Sequence, residues 1–463
     1  MKKWFAATAC AIMTGGLLAA DEPSMADIAK QLDMLKRQVQ EQQKIIEQLQ
    51  QRLDASGPVA NEEMSAFVKK TVAAAMDERS QAESGSPISL RSGIDGLKLK
   101  GDLRVRYEYR TLDGDGDNDK EKYAQDTRQK QRFRHRVRLG GVWTNTTENF
   151  EIGLGMEFGS SGGTSANDSW NHSSTWESGD AYLDYAYAKH TWDNGISLTL
   201  GQQKNPFEAS YALFDGDLRP TGATAQWAND TMFATVGAYN VRSDTAVGSS
   251  SDQSTASMYA GQVGVNLRGE NIRAKLAVAG YFGDSEMSEY VTDGDGVEGQ
   301  ENYDYRLGDL YGEVSTNIGD IELTAFGEYT VNFGVDSGSD PFAPVTQLGS
   351  VPGGGFGSTY DPEDNDTAWV LGIGMRLHKF KAGYSFAHIE GDSVPWMFAD
   401  SDFGDGLPDG ALNAEGHKLS LGYSFTKHCE LAATAFLTSP IEDDPGMNGL
   451  KVNLYQIDLK YKF

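Results

Sequence analysis

Between residues 97 and 463, apolar and polar side chains alternate one by one in segment after segment. In the last segment, 452–463, every second residue from Tyr455 to Phe463 is aromatic or aliphatic, and the residues between them are polar. This is the pattern of a β-strand with one apolar and one polar face. We expect sixteen such strands, although the alternation is irregular in two of them, 231–242 and 305–316. The predicted strands are 97–110, 132–145, 150–159, 181–191, 196–202, 221–228, 231–242, 257–268, 271–282, 305–316, 320–332, 367–377, 379–390, 417–426, 429–438 and 452–463.

The connections between these segments alternate strictly between short and long. The short ones lie near 146–149, 192–195, 229–230, 269–270, 317–319, 378 and 427–428. The long ones lie near 111–131, 160–180, 203–220, 243–256, 283–304, 333–366, 391–416 and 439–451. A soluble sandwich has no reason to sort its loops by length, whereas a transmembrane barrel has short turns on one side and long loops on the other. The sequence therefore predicts an all-β fold, a transmembrane antiparallel β-barrel of about sixteen strands, closed by pairing the last strand with the first.

Composition is compatible with a barrel of this kind. The mean hydropathy of −0.48 resembles that of a soluble protein, but only every second residue of a barrel strand faces lipid. Beyond the first twenty residues, no apolar run approaches the roughly 18 residues of a membrane helix. The formal net charge of −27 argues against nucleic acid as a partner.

The first ninety-five residues have a different pattern. Residues 1–20 combine Lys2 and Lys3 with an apolar stretch and small residues, which predicts a signal peptide and export. Residues 21–95 are expected to form a periplasmic helical segment and linker, and residues 96–463 the barrel domain. Of the two cysteines, Cys10 lies in the predicted signal, so the mature chain keeps Cys429 alone and forms no internal disulfide.

A heptad pattern in the helical segment predicts a coiled coil. Its seam residues are Ile28, Leu32, Leu35, Val39, Gln42, Ile46, Leu49 and Leu53. Apolar residues spaced by four and three leave a seam that a single helix cannot cover, and the one polar residue, Gln42, is of the kind that fixes register. We expect self-association through this seam, and the alternative is a helix folded back on residues 61–81.

Basic residues mark the polar face of the first two strands. With the apolar faces turned to lipid, the inward side chains are Arg104, Arg106, Arg110, Arg132, Arg134, Arg136 and Arg138, and later strands add Arg273, Lys275, Arg376 and Lys418. Arginines spaced by two repel one another unless they are hydrated or paired, so a water-filled lumen suits them. They are either a generic polar lining or determinants of ion selectivity.

The third long loop, 203–220, has a composition unlike that of the others. Four apolar residues, Phe207, Tyr211, Leu213 and Phe214, allow it to pack, and its charged residues are Lys204, Glu208, Asp215, Asp217 and Arg219. In position and composition it resembles the third external loop of general porins, which folds into the barrel. We expect Asp215 and Asp217 to face the arginines of the first two strands across a constriction.

Acidic residues are concentrated in the other long loops, at 113–119, 293–296, 361–366 and 400–409. The first of these resembles the start of an EF-hand loop, but its twelfth position is Ala124, where a bidentate Glu is needed. We therefore expect a solvated outer surface that binds divalent cations loosely and bridges them to lipid phosphates. No cofactor and no dedicated metal site are expected.

Several segments together resemble one protein family. They are the heptads at 28–53, GLKLKGDLRVRYEYR (96–110), RFRHRVRLGG (132–141), GQQKNPF (201–207) and KYKF (460–463). The sequence is similar to the putative-porin family that carries a coiled coil before its barrel. The resemblance implies an outer-membrane channel for passive diffusion of ions and small hydrophilic solutes, usually a homotrimer. No obvious wall-binding module of the kind found in relatives attached to an S-layer precedes the predicted coiled coil, so the resemblance does not extend to peptidoglycan anchoring.

Tyr461 and Phe463 match the terminal aromatic pattern of outer-membrane barrels, which implies an assembly signal for the barrel-assembly machinery. Two other functions remain open, a substrate- or anion-selective pore of phosphate type and a structural outer-membrane tether. An enzyme is disfavoured, because none of the seven histidines lies in a recognisable catalytic context.

Overall fold

The computed structural model describes residues 96–113, 129–159, 165–170, 180–242, 256–283, 290–291, 298–299, 304–335, 361–407, 410–441 and 449–463. The predicted signal peptide and coiled coil lie outside these residues, as does the stretch resembling an EF-hand beyond Asp113. Within the described part of the chain, no helix is long and apolar enough to cross a membrane.

Sixteen strands form one antiparallel barrel. They are β1 (Leu97–Asp113), β2 (Gln129–Asn145), β3 (Phe150–Gly159), β4 (Asp180–Thr191), β5 (Ile196–Gln202), β6 (Thr221–Ala228), β7 (Met232–Arg242), β8 (Ala256–Arg268), β9 (Ile272–Gly283), β10 (Tyr305–Ile318), β11 (Ile321–Asn332), β12 (Thr367–Leu377), β13 (Phe380–Ile389), β14 (Ala414–Ser424), β15 (Cys429–Pro440) and β16 (Lys451–Lys462). A two-residue strand, Asp168–Ser169, pairs with β2 beside the barrel, and Tyr290–Val291 pairs with Glu298–Gly299 in a separate hairpin.

Each strand pairs with the next, and the last strand pairs with the first. Leu103 of β1 lies opposite Tyr461 of β16, and the register continues to Asp113 opposite Lys451. The predicted all-β closed barrel of sixteen strands is thus confirmed. The largest differences in strand bounds are three residues, such as the start of β14 at Ala414 instead of residue 417.

Some of the short connections depend on a residue with a positive φ angle. Asn149 (φ 52°) lies between β3 and the preceding turn, His378 (φ 51°) between β12 and β13, and Gly319 (φ 61°) between β10 and β11. Positive φ angles suit the tight turns whose twist matches that of paired strands. The sequence placed all three turns correctly because the apolar alternation stops on both sides of them.

The outer wall of the barrel is apolar. Large aliphatic and aromatic side chains point away from the lumen along the strands, and Leu371 and Leu421 leave 62% and 64% of their surfaces exposed. An exposed apolar surface this extensive is typical of a wall that contacts lipid. The alternation read from the sequence therefore marks the two sides of the barrel wall.

The buried apolar core lies inside the barrel and is built largely by loops. Leu213 comes from the third long loop, 203–220, while Val394, Phe403 and Leu412 come from the seventh long loop, 390–413, and each is at most 1% exposed. Inward-facing strand residues such as Tyr281 complete this core. Two loops are therefore packed inside the barrel, where the sequence predicted one.

Candidate functional site in the barrel lumen

The arginines of β1 and β2 form one charged wall of the lumen. Because strand side chains alternate between faces, Arg104 and Arg106 point inward, and the register sets them opposite Arg136 and Arg134 of β2. Like charges directly opposite each other destabilise paired strands unless anions neutralise them. The wall is therefore stable only with carboxylates close by.

Acidic side chains of the strands supply part of this neutralisation. Arg106 Nε lies 2.7 Å from Asp458 Oδ1 of β16, and Arg134 Nη1 lies 3.5 Å from Glu108 Oε2 of β1. Arg132 also donates to Glu108. Arg104 has a different partner, since its guanidinium donates to the amide oxygen of Asn167.

Asp217 of the third long loop contacts the same wall. Its Oδ1 lies 2.7 Å from Arg138 Nη2 and 3.4 Å from Arg136 Nη1. Burial raises the pKa of this carboxyl group, but Arg138 and Arg136 outweigh burial and lower it to about 2. Asp217 therefore remains ionised as an anion fixed to the basic wall.

Further contacts hold the third long loop to other parts of the barrel. The Ser210 backbone N–H donates to Glu328 of β11 at 2.9 Å, and the hydroxyl groups of Tyr211 and Ser385 of β13 lie 2.9 Å apart. The loop therefore contacts β11 and β13 through Ser210 and Tyr211, and β2 through Asp217. These contacts lie on different parts of the barrel wall, so the loop crosses the lumen. Two other charged residues pair close to the loop's ends, Glu208 with Lys275 at 2.8 Å and Arg219 with Asp184 at 2.7 Å.

Asp215 does not face the arginines, so that part of the expectation is wrong. Its two carboxyl oxygens accept hydrogen bonds from the backbone N–H groups of Asp217, at 2.7 Å, and Ser401, at 2.9 Å. Burial, followed by the nearby charge of Asp400, raises the pKa of Asp215 to about 7. Asp215 joins the third long loop to the seventh.

The seventh long loop reaches the arginine wall, which the sequence interpretation missed. Asp402 Oδ2 lies 3.1 Å from Arg106 Nη1, and Asp405 Oδ1 lies 2.9 Å from Arg110 Nη1. The acidic stretch 400–409 was expected to be a solvated outer surface, and for these two aspartates that expectation is wrong. The apolar residues just before them, Trp396 to Phe398, were the available signal, because the same signal identified the third long loop.

Aromatic contacts join the two loops. The rings of Phe214 and Phe398 have centroids 4.8 Å apart, and those of Tyr211 and Phe403 are 5.7 Å apart. Lys418 of β14 lies 4.1 Å above the Tyr211 ring, as its predicted inward orientation requires. This apolar contact stabilises both loops inside the barrel, because aromatic pairs contribute about 0.5–1.5 kcal/mol beyond the area they bury.

Below the loops, on the side of the short turns, the lumen contains a recess of about 710 Å³. Its basic lining residues are Lys100, Arg136, Arg138, Lys189, Lys204, Arg219, Lys460 and Lys462, and its acidic lining residues are Asp102, Glu151 and Asp184. On another part of the wall, Arg273 and Arg376 both pair with Glu322 and remain exposed to the lumen. Basic side chains thus outnumber acidic ones in the lining of the recess.

The remaining predicted site residues lie elsewhere. Tyr461 of β16 is exposed, as is Phe463, which follows that strand and borders the recess. The coiled-coil seam falls outside the described residues. Across the described ranges, no group of three or more His, Cys, Asp or Glu side chains is arranged to hold a metal ion. Divalent cation binding at the acidic loops stays a prediction.

Comparison with known proteins identifies the type of chain. Residues 24–288 match the family described as Putative porin. No curated protein matches the chain.

Several solved structures match the chain at low sequence identity. The high-pH structure of Pseudomonas putida OprB is 11% identical, with a TM-score of 0.50 over 80% of this chain and 94% of that one. OmpT lacking loop L8, an outer membrane protein of Vibrio cholerae, is 12% identical, with a TM-score of 0.43 over 80% and 100%. A triple mutant of Rhodopseudomonas blastica porin is 11% identical, with a TM-score of 0.42 over 79% and 100%.

Proposed function

We propose, since the chain belongs to the putative-porin family, that it forms an outer-membrane channel for passive diffusion of ions and small hydrophilic solutes, narrowed from within by its third and seventh long loops. The family and the barrel fold indicate a channel rather than an enzyme. A sixteen-stranded barrel is wide enough for an aqueous passage, whereas about eight strands fill the interior with their own side chains.

One observation carries the narrowing by the third long loop, namely the contact of Asp217 with both Arg136 and Arg138. The contact supports the proposal because it fixes a loop from the β5–β6 connection to a wall three strands away. Solutes that enter from the long-loop side then have to pass between this loop and the remaining wall. The seventh long loop reduces the passage further through Asp402 and Asp405.

We also propose that the channel prefers anions. The wall arginines are largely neutralised by the loops and by strand carboxylates, including Arg136 and Arg138 where they line the recess. The recess also contains Lys100, Lys189, Lys204 and Lys462, so its lining holds more basic than acidic side chains. A passage lined mainly by one sign of charge concentrates ions of the opposite sign. The acidic long loops oppose this preference only at the mouth, where exposed charges are screened within about 8 Å at physiological salt.

A structural tether is the second candidate function. The apolar packing of the two inward loops favours it, since Leu213, Phe403 and Leu412 fill part of the lumen. In that case the coiled coil would be the working part, and the barrel would anchor it. Swelling of proteoliposomes in small sugars separates the two functions, because a tether admits no solute.

The porin proposal is tested by planar-bilayer recording of the full-length protein in a KCl gradient. We expect discrete conductance steps. We also expect a reversal potential whose sign shows that chloride permeates more readily than potassium. Asp217→Asn removes a fixed negative charge and the loop's anchor, so the conductance should rise by about a factor of two and the anion preference should increase. Asp320→Asn makes the same charge change in a short turn and serves as the control.

Two results would contradict the proposal. Absence of conductance steps in the unaltered protein excludes a channel. Unchanged conductance and reversal potential in Asp217→Asn, with intact steps, exclude narrowing by the third long loop.

A further inference from the structure

Four lysines converge on the recess at the short-turn side of the lumen. Lys100 comes from β1, Lys189 from β4, Lys204 from the third long loop and Lys462 from β16. The ion pairs of lysines among the described residues are those of Lys275, Lys381 and Lys460, so none of these four forms one. Lys189 nevertheless lies opposite Glu151, and Lys462 opposite Asp102, in the paired strands. Four separate elements thus supply ammonium groups to one concavity whose lining holds more basic than acidic side chains.

The other cations of the recess differ in this respect. Arg136 pairs with Asp102 at 3.0 Å, Arg138 with Asp217 at 2.7 Å and Arg219 with Asp184 at 2.7 Å. Asp102 and Asp184 are therefore committed to arginines, while Glu151 accepts a hydrogen bond from the Tyr187 hydroxyl at 2.6 Å. Lys460 pairs with Asp458 at 3.5 Å. Basic side chains still outnumber acidic ones in the lining. Burial, followed by the neighbouring charge of Arg219, lowers the pKa of Lys204.

Aromatic rings and neutral polar groups supply the rest of the lining. The Tyr185 and Tyr187 rings lie against Gly155 and Gly153 of β3, where an added Cβ would stand 2.2 Å from each ring. The absence of side chains on these glycines lets both rings lie flat on the wall. Thr199, Gln203 and Gln226 add hydrogen-bonding groups. Flat rings and amides suit the carbon skeleton of an organic solute, and the lysines suit its charges.

We propose that this recess is a binding site for a small organic anion that carries two or more negative charges on phosphate or carboxylate groups. The spread of the lysines over four elements favours a ligand with separated charges over a monovalent ion. Lysine is a point charge that binds phosphate or carboxylate without a fixed geometry. The site rests on the proposed function, because it lies in the lumen through which the proposed channel conducts.

A second basic region, around Arg273 and Arg376, carries no comparable site. Both arginines share Glu322, and Lys381 pairs with Glu430, so few charges are left without a counterion. Their side chains are also open to the lumen, where water screens them. This region therefore offers a matched control.

The test is a titration of single-channel current in dilute KCl with the full-length protein. Citrate and glucose 6-phosphate are added to one side at a time, with inorganic phosphate and uncharged glucose as further arms. We expect citrate, glucose 6-phosphate or both to reduce the current to a saturating level, and glucose to have no effect. Lys100→Gln/Lys204→Gln should raise the half-blocking concentration about tenfold, while Lys381→Gln should leave it unchanged.

The outcomes separate the site from the channel. Current without saturable block by either organic anion overturns the binding site and leaves the porin function intact, whereas absence of current contradicts the porin function itself. Block by only one of the two organic anions also supports the site. Block by citrate alone indicates that the ligand's charges are carboxylates, and block by glucose 6-phosphate alone indicates that they are phosphate. An equal effect of inorganic phosphate overturns the preference for an organic anion. If Lys381→Gln raises the half-blocking concentration as much as Lys100→Gln/Lys204→Gln does, the anion does not bind in this recess.

Discussion

At the scale of single residues, Phe463 and Gly101 show how the first and last strands meet. Each donates its backbone N–H to the other's carbonyl oxygen at 3.0 Å. The Phe463 ring lies over Gly101, with a ring carbon 2.2 Å from where a Cβ would stand. Sequence alternation was sufficient to predict this pairing of strands, because both strands keep the same period. It could not predict that the ring covers a glycine, which depends on the side-chain conformation.

Gly101→Ala is expected to displace the Phe463 ring and to lower the free energy of unfolding by about 1 kcal/mol, the contribution of a well-packed aromatic contact. Denaturant titration of the barrel in lipid vesicles measures this change. Gly261→Ala is the matched control, because its added Cβ meets only Val236 at 3.8 Å. In Phe463→Ala the ring is absent, so adding Gly101→Ala to this variant should lower the free energy of unfolding only slightly further. Equal losses in Gly101→Ala and Gly261→Ala would contradict the contact.

Loop residues were harder to assign from sequence than strand residues. Asp215 and Asp217 are two positions apart and were given the same role, yet one joins two loops and the other contacts arginines. A strand would have set both on the same face, but a loop has no period from which orientation can be derived. The contacts of each aspartate depend on the tertiary packing of the loop.

At the scale of elements, the strands were predictable and the seventh long loop was not. Alternation and the sorting of connections by length gave all sixteen strands, since both follow from a wall between lipid and water. The position of the seventh long loop depends on contacts such as Phe214 with Phe398, which join residues far apart in the sequence. Its acidic composition alone indicated a hydrated outer surface. Composition was misleading there because the arginine wall supplies counterions inside the barrel.

The junction of the two inward loops is expected to weaken as the pH rises. Asp215 has an ordinary pKa of 3.8 and a pKa of about 7 in the junction, where burial and Asp400 favour the neutral form. Asp215 therefore binds a proton more tightly in the docked loops than in released loops. The stabilisation of docking by this proton is complete below about pH 4 and is lost progressively as the pH rises to about 7. Asp217, whose pKa is lowered to about 2, has the opposite dependence, but only at pH values below this range.

Current recordings at pH 5 and pH 8 measure this effect. We expect open-channel current fluctuations to increase severalfold at pH 8, because charged Asp215 repels Asp400 and Asp217. Asp215→Asn should make the fluctuations independent of pH in this range, whereas Asp364→Asn, in an exposed turn of the sixth long loop, should preserve the dependence. Equal fluctuations at the two pH values in the unaltered protein would exclude Asp215 as the titrating group.

At the scale of the whole molecule, the net charge of the chain is negative, whereas one recess of its lumen is lined by more basic than acidic side chains. The chain carries −27, yet the recess on the short-turn side has eight basic side chains against three acidic ones. The sequence showed both sets of charges but gave no distances, so the balance could not be derived from it. The structure supplies that balance for the recess, because it pairs three loop aspartates with wall arginines and brings four lysines from separate elements to one concavity.

The coiled coil is expected to set the oligomeric state without contributing to conduction. Its predicted seam includes Ile46 and Leu49, and a charged residue at such positions disrupts the packing of facing helices. In Ile46→Asp/Leu49→Asp, chemical crosslinking should yield mainly monomer, while the conductance of each step stays as in the unaltered protein. Gln48→Asp lies off the seam and should retain the crosslinked oligomer. Steps that appear in groups of three before the change and singly after it would support a trimer. Unchanged crosslinking in the seam variant would show that the barrels associate through their walls or that the helix folds back on residues 61–81.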